Sequence, residues 1–181
     1  MKITLDKTDI NELYLMTPME FFDGRGSFLK IFQSDAINEI MPGFEVKEVF
    51  FSTSHKDVLR GMHFFTPPYS AQKIVTCVAG SILDVIVDLR RSSKTYGKAY
   101  STILSAKNRA MYLIPKGCAH GFLSLEDHSI TLYATTTVHV PSHDCGIHYN
   151  SFGFDWPVKN PFLSDRDQSL ASLEDFESPF E

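Results

Sequence analysis

The stretch Lys73-Ile74-Val75-Thr76-Cys77-Val78-Ala79-Gly80-Ser81-Ile82-Leu83-Asp84-Val85-Ile86-Val87-Asp88-Leu89 decides the fold class. Residues 73–78 form one apolar, β-branched run, Ala79-Gly80-Ser81 reads as a turn, and 82–89 form a second run. In the second run a period of two puts Leu83, Val85, Val87 and Leu89 on one face. Ile82, Asp84, Ile86 and Asp88 fall on the other. Working outward, similar runs predict strands over 45–52, 58–64, 100–104, 111–114 and 130–140. Helical signals are sparse. Ser34 is placed to cap a short helix over 35–40, ended by Pro42-Gly43, and Ser164 with Asp167 reads as a capping box opening a helix toward Phe176. The acidic tail after Glu174 is expected to fray. Many short strands with regular turns predict an all-β sandwich or barrel with a few short helices.

The chain has 181 residues, which suits one domain, 1–181, with a full core. Its net charge of -5 argues against a non-specific nucleic-acid binder, which needs a basic footprint. An anionic small ligand is still allowed, because a pocket can be locally basic. No apolar run approaches the length of a membrane span, and the start, Met1-Lys2-Ile3-Thr4, is unlike a secretory signal. Cys77, Cys118 and Cys145 are odd in number and far apart. They predict neither a disulfide framework nor a zinc site, and point to a reducing cytoplasm.

Three stretches could carry chemistry. In Val58-Leu59-Arg60-Gly61-Met62-His63, strand alternation sets Val58, Arg60 and Met62 against Leu59, Gly61 and His63, and Lys73 follows after a loop with Pro67-Pro68. Two cations and an imidazole would suit an anion, but a solvated surface pair beside a structural histidine fits the spacing as well. In Ile114-Pro115-Lys116-Gly117-Cys118-Ala119-His120-Gly121-Phe122, the P-x-G-x-x-H pattern resembles the second motif of cupin barrels, where the histidine points inward. The H-x-H pair of metal-binding cupins is missing, since His63 is followed by Phe64 and Phe65, so no metal is expected. His120 is then either a pocket residue or a structural one. In the run 131–139, Tyr133 shares a face with Thr131, Thr135, Thr137 and His139, and lines a pocket or sits on an exposed face.

Taken in order, these segments resemble the dTDP-4-dehydrorhamnose 3,5-epimerase family. Further matching segments are Asp23-Gly24-Arg25-Gly26, Gln72-Lys73-Ile74-Val75, Asp84 to Arg90, Thr95-Tyr96-Gly97 and Leu104 to Asn108. Leu132-Tyr133, Gly146-Ile147, Asp155-Trp156-Pro157 and Leu163-Ser164-Asp165-Arg166-Asp167 complete the set, which runs from about residue 20 to about residue 168. The resemblance implies a cupin-like, jelly-roll β-barrel in a homodimer with an exchanged N-terminal strand. It also implies a nucleotide-diphosphate sugar substrate and no cofactor. His63 matches the catalytic base, Tyr133 the acid on the other face of the sugar, and Lys73 the group near the enolate oxygen. Asp167 matches the carboxylate that pairs with the histidine, although its position also suits a helix cap; Asp84 is the alternative partner. Arg25, Lys30, Glu48, Ser54, Arg60, Gln72, Asp84, His120 and Arg166 fall where the substrate is expected.

The chemistry explains why such residues are needed. A 4-keto group acidifies the hydrogens on carbons 3 and 5, yet far less than an imidazolium of pKa about 6.5. A positive group at the enolate oxygen must close part of that gap, an effect worth about 3–4 kcal/mol per donor. Inversion further requires an acid opposite the base, a role Tyr133 could fill with its pKa lowered by nearby positive charge.

Four positions depart from the family pattern. A Gln-x-Asn pair is replaced by Glu48 and Phe50, ahead of Ser52 and Ser54, and a glutamate after the Arg-Gly pair is replaced by Lys30. A carboxylate suits the two parallel donors of guanine better than thymine. The pattern is similar to relatives acting on GDP-4-keto-heptoses in capsule biosynthesis, so Glu48 predicts a GDP-linked sugar. The family's second tyrosine is aligned with Val138. Competing readings are a dTDP-4-keto-6-deoxyglucose 3,5-epimerase, a 3,4-ketoisomerase, and a sugar-nucleotide-binding module without turnover.

Overall fold

The computed structural model describes residues 1–181. Two antiparallel sheets face each other. The first runs β1 (Ile3–Lys7), β2 (Tyr14–Pro18), β10 (Met111–Ile114), β7 (Lys73–Ala79), β12 (Ser129–Thr135) and β5 (Glu48–Ser54) in spatial order. The second runs β13 (Asp144–Gly146), β6 (Leu59–Phe65), β11 (Cys118–Ser124), β8 (Ser81–Asp88) and β9 (Ala99–Ser105). A hairpin of β3 (Glu20–Asp23) and β4 (Gly26–Leu29) stands apart from both. The all-β, jelly-roll expectation holds.

The core lies in three layers. Between the sheets, Val75, Cys77, Tyr112, Ile114 and Tyr133 of one meet Ile82, Ile86, Leu104, Cys118 and Phe122 of the other. Behind the first sheet, Ile74, Met111, Leu113 and Ala134 are covered by Ile37 and Met41 around the helix α1 (Ser34–Ile40) and by Phe44. Behind the second sheet, Met62, Phe64, Val85, Val87 and Ala119 are covered by the C-terminal segment, including Trp156, Leu173, Phe176 and Phe180. Both faces of β8 are therefore dry. The face that carries Ile82, Asp84 and Ile86 looks into the barrel interior.

The C-terminal cover overturns two expectations. The tail does not fray: Ser178 and Phe180 are buried, Ser178 Oγ donates to the Leu89 carbonyl, and Arg91 N donates to the Phe180 carbonyl at 3.0 Å. Nor does a long helix follow Ser164. The helix α2 (Asp165–Gln168) is a single turn, because the chain beyond it runs across the sheet to place Leu173 and Phe176. Ser164 Oγ does accept from Asp167 N at 3.1 Å, but the Asp167 carboxylate is used elsewhere. The helix α1 is flanked by Gln33 at its N-cap, with no side-chain cap bond, rather than being capped by Ser34. The four strands of residues 3–29 escaped pattern reading, because each is only four or five residues long and β2, β3 and β4 carry no regular alternation.

One irregularity matters most. Between β6 and β11, His63 lies opposite His120, but Arg60 lies opposite Phe122. Three steps on β6 match two on β11, so β6 carries one extra residue, a bulge. Gly61 occupies it at φ +137°, and a Cβ there would lie 2.5 Å from Gly121 Cα. Strict alternation set Arg60 and His63 on opposite faces; the bulge turns both into the same cavity. We expect Gly61→Ala to cost about 2–4 kcal/mol, from left-handed backbone plus a backbone clash. Gly24→Ala, whose Cβ would meet nothing within 4 Å, should change stability little. Urea unfolding midpoints of the two variants check this.

Candidate active site

A cavity of about 450 Å³ opens between the two sheets, lined by Glu48, Phe50, Ser52, Arg60, His63, Lys73, Tyr133, Asp144 and Asp167 among others. His63 comes from β6 in one sheet and Tyr133 from β12 in the other. The imidazole and the phenol thus enter one space from opposite walls. Lys73 begins β7, next to Thr135 of β12, and its Nζ reaches toward the His63 carbonyl at 3.4 Å and over the Phe65 ring at 5.8 Å.

His63 Nε2 donates to Asp167 Oδ1 at 2.7 Å, and Gly61 N donates to Asp167 Oδ2 at 3.3 Å. A carboxylate only accepts, so Nε2 carries the proton and Nδ1 is left as the basic nitrogen. Asp167 is 4% exposed and His63 28%, so the carboxylate is dry while the ring reaches the cavity. Burial works to raise the Asp167 pKa; the hydrogen bond and charge of His63, the Gly61 N–H and Arg166 outweigh it, and the group stays ionised below the ordinary range.

Asp84, the alternative partner, is not beside His63. It accepts from His120 Nε2 at 2.8 Å inside the barrel, because both side chains project inward from the neighbouring strands β8 and β11. Burial pushes its carboxyl up, against the pull of His120 and Lys73. His120 in turn lies edge-on to Tyr133 at 5.9 Å.

Tyr133 is buried and stacks on Phe50 at 4.6 Å. Burial drives its phenol above the ordinary value, although the nearby Ser52 hydroxyl and the charge of Arg60 pull the other way. This reverses the expectation of a lowered pKa. A phenol held protonated is a proton donor, which is the function an acid opposite the base requires. Lys73 moves the other way. Burial lowers its pKa to about 8, against the charges of Asp144 and Asp84.

The remaining expected residues divide. Glu48, Arg60, His120 and Arg166 line the cavity, and Ser54 accepts from Arg60 Nε at 3.1 Å just behind it. Gln72 does not line it; it faces a separate cavity beside Met41, Lys116 and Phe180. Arg25 and Lys30 are also away from it. Arg25 sits at the tip of the β3–β4 hairpin, 91% exposed and paired with Asp23 at 2.6 Å, and Lys30 is exposed at the hairpin's end. Val138 is turned out to solvent, while His139 lines the cavity, because β12 ends at Thr135 and the alternation stops there. Asp144 was not foreseen. It binds Arg166 at 2.8 Å and His139 Nε2 at 3.2 Å, and it lies on a three-residue strand too short to leave a pattern. No group of three or more His, Cys, Asp or Glu side chains is placed to hold a metal ion.

A jelly-roll barrel whose interior cavity sets a His–Asp pair on one wall and a protonated phenol on the other defines an epimerase-type active site. The family model described as dTDP-4-dehydrorhamnose 3,5-epimerase matches residues 7–175. The dTDP-4-dehydrorhamnose 3,5-epimerase of Escherichia coli K12 is 39% identical over 174 residues, covering 93% of this chain and 94% of that protein. Among solved structures, the dTDP-4-dehydrorhamnose 3,5-epimerase of Sulfolobus tokodaii superposes with a TM-score of 0.92 at 38% identity, covering 100% of both chains. The dTDP-6-deoxy-D-glucose-3,5-epimerase of Legionella pneumophila, in complex with dTDP-4-keto-L-rhamnose, gives 0.92 at 33% identity, covering 97% and 95%. The chain belongs to the dTDP-4-dehydrorhamnose 3,5-epimerase family, and is an isomerase of the epimerase type.

Asp167→Asn keeps the helix cap, which uses the backbone N–H, but removes the counter-charge of the imidazolium. Turnover should fall about 10²–10⁴-fold with nucleotide binding retained; steady-state kinetics and calorimetry would check it.

Proposed function

We propose that this chain inverts carbon 3, carbon 5 or both of a nucleotide-diphospho-4-keto-sugar through an enolate. The observation that carries the reading is the placement of His63 and Tyr133 on opposite walls of one cavity, with Lys73 beside it. His63 Nδ1 removes the proton next to the keto group, and the imidazolium that forms is stabilised by Asp167. The Lys73 ammonium faces the charge developing on the keto oxygen. Tyr133 returns a proton from the other wall, and the centre is inverted. No hydride moves in this sequence of steps.

Incubation with a 4-keto-sugar nucleotide in deuterated water tests each role. Wild type should exchange and invert. His63→Ala should lose exchange yet still bind nucleotide. Tyr133→Phe should exchange without inverting, since deuterium returns from the side it left. Exchange by His63→Ala would remove His63 as base, and inversion by Tyr133→Phe would remove Tyr133 as acid.

The pH profile follows from Lys73. With a pKa of about 8 in the empty cavity, its ammonium is present below that pH and is lost as pH rises through it. The kcat/KM, which reports the free enzyme, should therefore fall above about pH 8, and Lys73→Arg should move that limb upward.

For the nucleotide, we propose a GDP-linked sugar, of hexose or heptose size. The support is Glu48, a carboxylate lining the cavity where an amide is usual in the family. Its Oε2 accepts from His139 N at 2.8 Å, which leaves Oε1 and the second lone pair of Oε2 to accept from a ring N–H and an amino group. A dTDP-linked sugar is the second reading, favoured by the relatives' own names. Calorimetry with GDP and dTDP decides between them; tighter dTDP binding ends the first.

The working form is proposed to be a homodimer. Phe21, Phe22 and Phe28 are exposed on a hairpin that pairs with neither sheet, and Arg25 and Lys30 do not line their own chain's cavity. Exchange of this segment would bury the aromatics and bring both cations to the partner's site. Sedimentation of wild type as a dimer, and of Phe22→Ser/Phe28→Ser toward monomer, is the expected result.

A further inference from the structure

Charge in the cavity nearly cancels. Its lining carries three fixed cations, Arg60, Lys73 and Arg166, against three carboxylates, Glu48, Asp144 and Asp167. A nucleotide-diphosphate sugar brings two negative charges into this balanced site. Arg25 and Lys30 would come only from a partner; within this chain's own lining, added positive charge can come only from an imidazole, since histidine alone among ordinary side chains titrates between about pH 5 and 8. Three histidines line the cavity. His63 has to be neutral to act as base. His120 is buried with its Nε2 tied to Asp84. His139 remains.

Its setting suits the task. The His139 backbone N–H is held by Glu48 Oε2 at 2.8 Å. Its Nε2 donates to Asp144 Oδ2 at 3.2 Å, its ring lies 6.0 Å from that of Phe65, and the side chain is 54% exposed. The groups around it are thus two carboxylates, Glu48 and Asp144; Arg166, which Asp144 also binds; and Lys73, over the same Phe65 ring. With Nε2–H committed to Asp144, neutral His139 has a lone pair on Nδ1 and would repel an anion there. The imidazolium has an N–H at that position instead. His139 also stands between Glu48, at the proposed nucleotide end, and Phe65 beside Lys73, at the sugar end. The diphosphate joins those two ends.

We propose that His139, as imidazolium, is a substrate-positioning residue that binds the diphosphate, so that affinity for the nucleotide sugar rises as pH falls. The inference rests on the nucleotide-sugar reading above.

The test uses GDP-mannose and dTDP-glucose, whose diphosphate diesters stay doubly charged across the range. Dissociation constants of the full chain are measured by calorimetry from about pH 5.5 to 8. Partly exposed charge pairs are worth up to about 1 kcal/mol, so wild type should lose about fourfold in affinity on going up that range. His139→Gln should bind about fourfold more weakly than wild type at the acid end and equal it at the alkaline end. His139→Lys, with a permanent cation, should lose less affinity than wild type on going up the range. Loss of the Lys73 ammonium toward pH 8 is common to all three proteins and cancels in the comparison. Equal slopes in wild type and His139→Gln would overturn the inference while leaving the nucleotide-sugar reading intact. Failure of wild type to bind either probe at any pH would overturn both.

Discussion

The extra residue in β6 is the constraint on which the site depends. A regular strand would point Arg60 and His63 to opposite faces, leaving one of them under the C-terminal cover. The bulge at Gly61 turns both inward and frees the Gly61 N–H to donate to Asp167, which in turn holds His63. It is possible only because Gly61 and Gly121 meet with no side chain between them. A backbone irregularity therefore sets the orientation of His63, the proposed base, the tautomer it adopts, and the placement of an arginine beside it.

Burial then sorts the ionisable groups by task. The same dry interior raises the Tyr133 phenol and lowers the Lys73 ammonium, because each loses hydration in its charged form. The phenol is held protonated, and the ammonium is brought down to a pKa of about 8. Asp167 is also buried, yet ionised, because it accepts two hydrogen bonds and faces an imidazole. Asp84 lacks such support on one oxygen and moves the other way. Two carboxylates, each beside a histidine, thus sit in different electrostatic states within one barrel.

The covering layers explain why a small domain holds so polar an interior. Apolar side chains behind both sheets, under α1 on one side and under the C-terminal segment on the other, bury surface independently of the cavity. The inter-sheet layer is left free to carry Asp84, His120, Arg60 and Lys73. This is also why the acidic tail is ordered: Phe176 and Phe180 are part of the core rather than an appendage.

Much of this was legible in the sequence. Strand periodicity announced the all-β class, the P-x-G-x-x-H turn placed His120 inside a barrel, and the ordered motifs singled out His63, Lys73, Tyr133 and Asp167. Those signals are local, and local patterns survive in a linear reading. What tertiary structure decided is what depends on two distant segments meeting. The bulge needs Gly121 opposite Gly61, the pairing of Asp167 with His63 spans about a hundred residues, and Asp144 and His139 reach the cavity only because short segments close its rim. A period of two says which way a side chain points relative to its neighbours. It is silent on which interior that side faces, and on how dry that interior makes it.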